Sequence, residues 1–483
     1  MRALRLLALC AALVPCFLVG GRAASADDPR AAPPPPPKLD RKLASRLVER
    51  LRKAGVSRGR FGIAVVERDT GRVIVLEGAA EPLVPASVAK VLTAASALDH
   101  LGPAYRFRTT VEALGDVEGG VLAGDLVVRG GGDPSFEDLD PLRDLARQVR
   151  AAGIREVDGA LVLDDGPLDR DFTHDDWTAE DIQRAYGAGV GGLTLGEGCV
   201  RVTVTGSSAV GGKSVAAFPL TRGAWPAVNR VKTVAGKSAA LGGTWGDTGL
   251  TLRGKVPPKK SGSARIPVPD PVVFFGGAFV NVLRDEGVTV RRGLRRSRKA
   301  GPGVEVARYE SRLADALRTM NVHSRNVYAS TIFKLAGARV TGVGSWAGGE
   351  RAVAKMAEGR GISVGGTRIL DGSGLAPTSR VAAGLLAQVL LSFDRDPLRG
   401  PVMRDSLPTS GKSGTLRRRL RDRGLVGRVH AKTGTLNDVR ARSLAGYIDA
   451  RKGQPGVVFA IVLRGRGTTH HLIDDLVRQI DKR

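Results

Sequence analysis

A chain of 483 residues, 42% hydrophobic and 25% charged, has length for two or three globular domains and enough apolar residues for a core, which excludes a disordered or low-complexity protein. Its formal charge of +26 points to anionic partners. Nucleic acid is not expected among them, because aromatic residues make up only 4% and none is interleaved with the basic clusters 291–299 (RRGLRRSRK) and 417–423 (RRRLRDR).

Residues 1–26 carry Arg2 and Arg5, an apolar run from Leu6 to Val19 and the small-residue site Ala24-Ser25-Ala26, the pattern of a cleaved signal peptide. The run is short for a bilayer span, which disfavours an uncleaved anchor. A lipoprotein ending at Cys16 is a minor alternative, because Val14-Pro15 is an awkward cleavage context. Cleavage before Asp27 removes three arginines and no acid, taking +26 to +23, and leaves Cys199 alone, so the mature chain has no intramolecular disulfide. The location expected is the periplasm or cell-wall space, where so basic a chain meets an anionic cell-wall or membrane surface. Residues 27–38, with AAPPPPPK, read as an extended linker.

From Leu39, LDRKLASRLVERLRKAG has the spacing of an amphipathic helix, and RFGIAVVERDTGRVIVLEGA that of two strands joined at Asp69-Thr70-Gly71. PASVAKVLTAASALDHLG (85–102) follows as a helix: Val88, Val91, Leu92, Ala95 and Leu98 recur at helical spacing, and Gly102-Pro103 stops it. Between Tyr105 and Lys299 the texture turns to short strand-like, glycine-rich runs, with a helix near 140–153 and a loop-rich stretch at 244–260. Helical texture returns at 311–337 and 381–393, then strands at 429–435, 444–449 and 457–463 and a helix from Thr469. Two N-terminal and three C-terminal strands make one antiparallel five-stranded sheet flanked by helices, an α/β (α+β) domain of residues 39–107 and 300–483 interrupted by a β-rich insertion at 108–299.

Three constellations carry chemistry. Ser87 and Lys90 sit one helical turn apart, a hydroxyl beside an amine, with the helix N-terminus suited to a forming anion. Taken alone, the pair also fits an N-capping serine and a solvated lysine. Ser324-Arg325-Asn326 falls between helical segments, and Lys432-Thr433-Gly434 on a strand. Ser-x-x-Lys, Ser-Asp-Asn and Lys-Thr-Gly are the motif set of penicillin-binding proteins and class A β-lactamases, and here they stand in that order.

With RTMNVHSRN, LDGSGLAP, GTLRRRL, AKTGTLNDV, LAGYI, GDLVVRGGGDP and DDWTAEDIQRAYGAGV, the chain from Leu39 to its end resembles the D-alanyl-D-alanine carboxypeptidase/endopeptidase family, the class C low-molecular-mass penicillin-binding proteins. The resemblance implies a serine β-lactamase/DD-peptidase-like fold whose insertion forms two small domains. It implies Ser87 as nucleophile and Lys90 as base, kept partly neutral by burial near Lys432. Ser324 and Lys432 would relay the proton to the leaving amine, and Asn326 would hold the substrate backbone. Thr433, Gly434 and Thr435 would bind the substrate, the two threonines holding its carboxylate, and the backbone N–H groups of Ser87 and Thr435 would form the oxyanion hole. The substrates implied are peptidoglycan stem peptides, with β-lactams as inhibitors and neither metal nor cofactor. Two departures stand out: Arg325 occupies the usual Asp position and is expected to point away from the reacting centre, and Asp438 occupies a usual Gly position.

Alternatives are a catalytically silent wall-binding or β-lactam-sensing protein on this scaffold, and a β-lactamase, which would need a Glu or Tyr placed for fast deacylation. Gly411-Lys412-Ser413 is no phosphate loop, since Ser406 stands where a Walker A glycine belongs. The six histidines show no metal spacing and read as solvated or packing residues. Asp371 and Ser373 are expected to shape the site without reacting.

Overall fold

The computed structural model describes residues 39–220 and 225–483; the signal peptide and linker expected at 1–38 lie outside the described residues. Helix α1 (Arg41–Lys53) starts where the Asp40 carboxylate accepts from the Leu43 N–H, and it buries Leu43, Ala44, Leu47 and Leu51, one apolar stripe. Strands β1 (Phe61–Glu67) and β2 (Val73–Glu77) form a hairpin, followed by α2 (Ala89–His100). After the insertion come α3 (Leu313–Val322), α4 (Asn326–Thr341), α5 (Trp346–Gly359) and α6 (Ala383–Asp394). Strands β3 (Val429–Leu436), β4 (Ala441–Ile448) and β5 (Val457–Arg464) and helix α7 (His470–Asp481) complete the domain.

The five strands form one antiparallel sheet in the order β3-β4-β5-β1-β2, so the N-terminal hairpin docks on β5 with Phe61 opposite Leu463. Every residue of β1 is buried, because the sheet has helices on both faces. Ile63 and Val65 pack with Leu43, Leu47, Leu472 and Leu476 of α1 and α7, while Ala64 and Val66 face Leu92, Leu98, Ile332 and Leu386 of α2, α4 and α6. Period-two alternation thus gives each strand two cores.

The inserted segment has sheets of its own. A five-stranded sheet runs in the order Leu294–Arg296, Leu161–Asp164, Asp125–Arg129, Arg106–Leu114, Val304–Arg312, with helices Asp140–Ala151 and Pro271–Asp285 sharing its core. Val304–Arg312, expected on the catalytic side of a boundary at 300, pairs along its length with Arg106–Leu114, so the chain returns to the helices beside the first sheet only at Leu313. A second group surrounds two strands: Cys199–Thr205 between Val215–Ala217 and Ser261–Pro267, and Gly249–Val256 against Ala240–Gly246, Ala227–Asn229 and Lys232–Thr233. The loop-rich reading of 244–260 is therefore corrected to a hairpin: Leu250, Leu252 and Val256 point inward at alternate positions, a pattern masked by glycines at 246, 249 and 254.

Candidate active site

Ser87 lies not in the first turn of α2 but in a 3-10 turn, Ala86–Val88, that runs straight into it. Ala86 takes φ of 49°, a left-handed conformation costly for a residue with a Cβ. The turn is locked from two sides. A Cβ on Gly374 would come within 2.0 Å of the Ala86 carbonyl oxygen, and one on Gly434 would meet the Ser443 Oγ at 2.1 Å and the Ser87 nitrogen at 3.1 Å. Both glycines let backbone approach the serine where no side chain fits. Ser443 also donates to the Pro85 carbonyl (2.6 Å), tying β4 to the residues that lead into the turn.

Helix α2 is buried on every side, Lys90 included. The Lys90 Nζ donates to Ser87 Oγ (3.1 Å), Asn326 Oδ1 (2.8 Å) and the Ser373 carbonyl (2.7 Å), which uses all three donors of an ammonium. Asn326, the first residue of α4, donates through Nδ2 to the Tyr186 carbonyl (2.9 Å), fixing which way its amide points. Ser324 takes φ of 57° in the tight connection between α3 and α4, and its Oγ accepts from Lys432 Nζ (2.9 Å). Lys432 on β3 is fully buried and also donates to the Thr433 carbonyl (2.8 Å). Two amines therefore each touch one hydroxyl at the seam between α2, α4 and β3.

Burial dominates the electrostatics. It pushes the Lys90 ammonium down to about 7 from 10.5, against the opposing pull of the Asp371 carboxylate. Lys432 is driven well below its ordinary value by burial first and by Lys90 second. Asp371 is itself fully buried and accepts from Trp177 Nε1 (2.9 Å), Ser373 Oγ (2.8 Å) and the N–H groups of Ser373, Gly374, Leu375 and Ala376. These bonds hold the turn whose Ser373 carbonyl receives Lys90.

The structure brings Ser87, Lys90, Ser324, Asn326 and Lys432 into one site. Thr433 and Thr435 flank Gly434 on the same strand, the Thr433 Oγ1 donating to Thr415 Oγ1 (2.8 Å) and the Thr435 Oγ1 lying 3.3 Å from His470 Nε2. His470, read as a solvated or packing residue, is half-buried beside Thr435, its pKa lowered by burial and by Arg419 and Arg442. Sequence reasoning also passed over Tyr186 and Thr415, although both stand inside segments that carried the resemblance; Tyr186 acts through its carbonyl, which leaves no mark on residue type. Arg325 turns to the insertion, where its Nη1 pairs with Glu197 (2.7 Å). Asp438 sits in the turn between β3 and β4.

A five-stranded antiparallel sheet between helical layers, with a serine, two buried lysines and an asparagine at one edge, defines the serine DD-peptidase and β-lactamase class of fold. The sequence model of the D-Ala-D-Ala carboxypeptidase 3 (S13) family matches residues 43–482, and the chain belongs to that family of serine peptidases. It is 32% identical over 431 residues to a D-alanyl-D-alanine carboxypeptidase of an Actinomadura species, spanning 84% of this chain and 77% of that protein. Penicillin binding protein 4 of Haemophilus influenzae shares the fold at TM-score 0.77 and 22% identity, over 90% of this chain and 98% of that one. The same protein complexed with a β-lactam matches at TM-score 0.73 and 22% identity, over 91% of this chain and 98% of that one. Among the described residues no helix is long and apolar enough to cross a membrane.

Proposed function

We propose that this peptidase is an exported D-Ala-D-Ala carboxypeptidase and endopeptidase of peptidoglycan stem peptides that works through an acyl-enzyme on Ser87. The observation that carries the reading is the Ser87 Oγ held 3.1 Å from the Nζ of a buried lysine whose pKa is about 7, a base poised at neutral pH. Neutral Lys90 takes the Ser87 proton as Oγ attacks the carbonyl between the terminal D-alanines. The oxyanion forms against the N–H groups of Ser87 and Thr435, at the end of β3 that Gly434 lets close on the turn. Collapse breaks the peptide bond, and the leaving amine takes a proton through Ser324 and Lys432, which are already hydrogen-bonded. Asn326 holds the substrate backbone, the strand Thr433, Gly434 and Thr435 binds the substrate, and the two threonines hold its carboxylate near Lys432. Water then hydrolyses the Ser87 ester. A β-lactam, whose strained amide mimics the same bond, acylates Ser87 and leaves slowly. The insertion forms two small domains, and export follows from residues 1–26.

Incubating the mature chain and Ser87→Ala with a fluorescent penicillin, and then with a stem pentapeptide, tests this reading. Label and D-alanine release should both appear, and both should vanish in the variant. Labelling without turnover of pentapeptide or cross-linked muropeptide would instead indicate a β-lactam sensor, and a wild-type chain that takes no label would overturn the site assignment.

A further inference from the structure

Between Cys199 and Val268 the chain carries eleven Lys or Arg residues and one acid, Asp247. The sheet around Gly249–Val256 gathers five of these cations on a single face. Lys213 bridges to Lys232, and Lys232 lies opposite Lys255, so three lysines stand side by side across three adjacent strands. Val228 lies opposite Thr251, the same offset in register as Lys232 and Lys255, which places Arg230 beside Arg253 in a second row. Intervening residues confirm the facing: Val231, Thr233, Leu252 and Val256 are buried, whereas Lys213, Arg230, Lys232, Arg253 and Lys255 are all exposed.

Like charges directly opposite one another in a sheet repel, and native sheets usually set an acid between them. Here, among the described residues, no ion pair reaches any of the five, while most other arginines of the insertion are paired, as Arg129 is with Glu112 and Asp164. Among the described residues nothing covers the face either. The next strand sets Ala240 opposite Lys255 and Gly242 opposite Arg253, and a Cβ on Gly242 would meet nothing within 4 Å. Cations spaced about 4.8 Å across the strands and about 6.6 Å along them form a grid rather than a line.

We infer that this face of the insertion is a docking surface for an anionic lipid bilayer, its five cations meeting headgroup phosphates. Two features select a bilayer over a linear polyanion. The charges spread in two dimensions, and exposed aliphatic side chains share the surface: Val228, two residues before Arg230, is 47% exposed, and Val215, two residues beyond Lys213, is 69% exposed. Valines beside cations suit the boundary between headgroups and acyl chains, whereas a phosphodiester polymer in water gains nothing from them. The face stands on strands that carry none of the peptidase groups, so its test is independent of the proposed reaction.

The experiment is co-sedimentation of the mature full chain with phosphatidylcholine vesicles containing one quarter phosphatidylglycerol, with pure phosphatidylcholine vesicles and soluble poly(glycerol phosphate) alongside. Wild type should bind the anionic vesicles at low salt and not the neutral ones. The variant Lys213→Gln, Arg230→Gln, Lys232→Gln, Arg253→Gln, Lys255→Gln should lose about a hundredfold or more in vesicle affinity, from the strength of basic residues at anionic surfaces. Neutralising Arg417, Arg418, Arg421, Arg423 and Lys452 instead should cost less than about threefold. The pair Lys232→Gln, Lys255→Gln gives a gentler form of the test, with a loss of about tenfold. Because like charges are removed, the five-site variant should also melt higher at low salt, which reports that it is folded. Equal losses in the two five-site variants, or binding to poly(glycerol phosphate) without binding to vesicles, would overturn the proposal.

Discussion

In the proposed reaction the buried Lys90 must lose its proton to act, which sets both a rate profile and a stability profile. Acylation of Ser87 should rise with pH through about 7 and level off above it, because the rate follows the neutral fraction of Lys90. Rapid-mixing measurement of penicillin acylation between pH 5.5 and 9 checks this; a flat profile would remove Lys90 from the role of base. Stability carries the matching sign. The folded pKa is about 7 and the unfolded value 10.5, so between them the unfolded chain binds more protons, and the contribution of Lys90 to stability rises with pH across that window and is constant below it. Lys90→Met should therefore raise the melting temperature at pH 7 and flatten its rise toward pH 10, while slowing acylation by about 10² to 10⁴. Lys432, displaced in the same direction, leaves some slope behind. Asp371 opposes the downward shift of Lys90, so Asp371→Asn should move the acylation profile to lower pH. It should also cost roughly 1–3 kcal/mol, since an amide cannot accept all the donors that this carboxylate satisfies.

Strand β3 and the turn that carries Ser87 approach each other through Gly434, and this contact leaves no room for a side chain. Gly434→Ala puts a Cβ 2.1 Å from Ser443 Oγ and 2.8 Å from the Pro85 carbonyl, so β3 has to move away from the turn that carries Ser87. Stability should fall by about 1–3 kcal/mol, as in other overpacked sites, and acylation should fall more steeply because the proposed oxyanion hole spans that seam. Denaturant melts and labelling rates on one preparation separate the two effects; unchanged labelling would show that the strand is not held at this distance during reaction. Motifs of this kind were legible in the sequence because each residue type is dictated by its chemistry. Other elements were not. Pro271–Asp285 begins with Asp270 accepting from the Val272 and Val273 N–H groups and Pro271 in its first turn, a standard start, yet its run VVFFGGAF has apolar residues and glycines where an amphipathic stripe would show. Helix α5 likewise hides behind Gly348 and Gly349, which are there because Phe333 and Gly337 of α4 pack against them. In both cases close packing chose small residues, and small residues read as loop.

At the scale of the molecule, the insertion reaches back to brace the residues of the proposed site. Lys334 of α4, fully buried, pairs with Asp169 and lies 4.5 Å from the Trp346 ring centroid; Tyr186 holds Asn326; Trp177 holds Asp371; and Arg325 meets Glu197, which also pairs with Arg265 at 2.9 Å. Arg325 is the residue at which the second motif departs from its family pattern, and the structure supplies a reason local to this chain. Glu197 is 4% exposed and, among the described residues, these two guanidinium groups balance its charge. Restoring the family residue with Arg325→Asp would place a second carboxylate against it. An Asp at the start of α4 gains about 0.3–1 kcal/mol from the helix dipole, whereas an uncompensated, nearly buried charge costs about 3–5 kcal/mol when its partner is lost outright. With Arg265 retained and both guanidiniums about one-third exposed, the penalty shrinks but keeps its sign. Arg325→Asp should thus destabilise the protein by about 1–3 kcal/mol and slow acylation by displacing Asn326, the next residue along the chain. Arg325→Asp combined with Glu197→Gln should recover most of that loss, because the like-charge pair is gone. A double-mutant cycle read by both denaturant melts and penicillin labelling decides the matter: additive effects would mean that Arg325 and Glu197 do not couple, and that the insertion does not position the second motif through this pair.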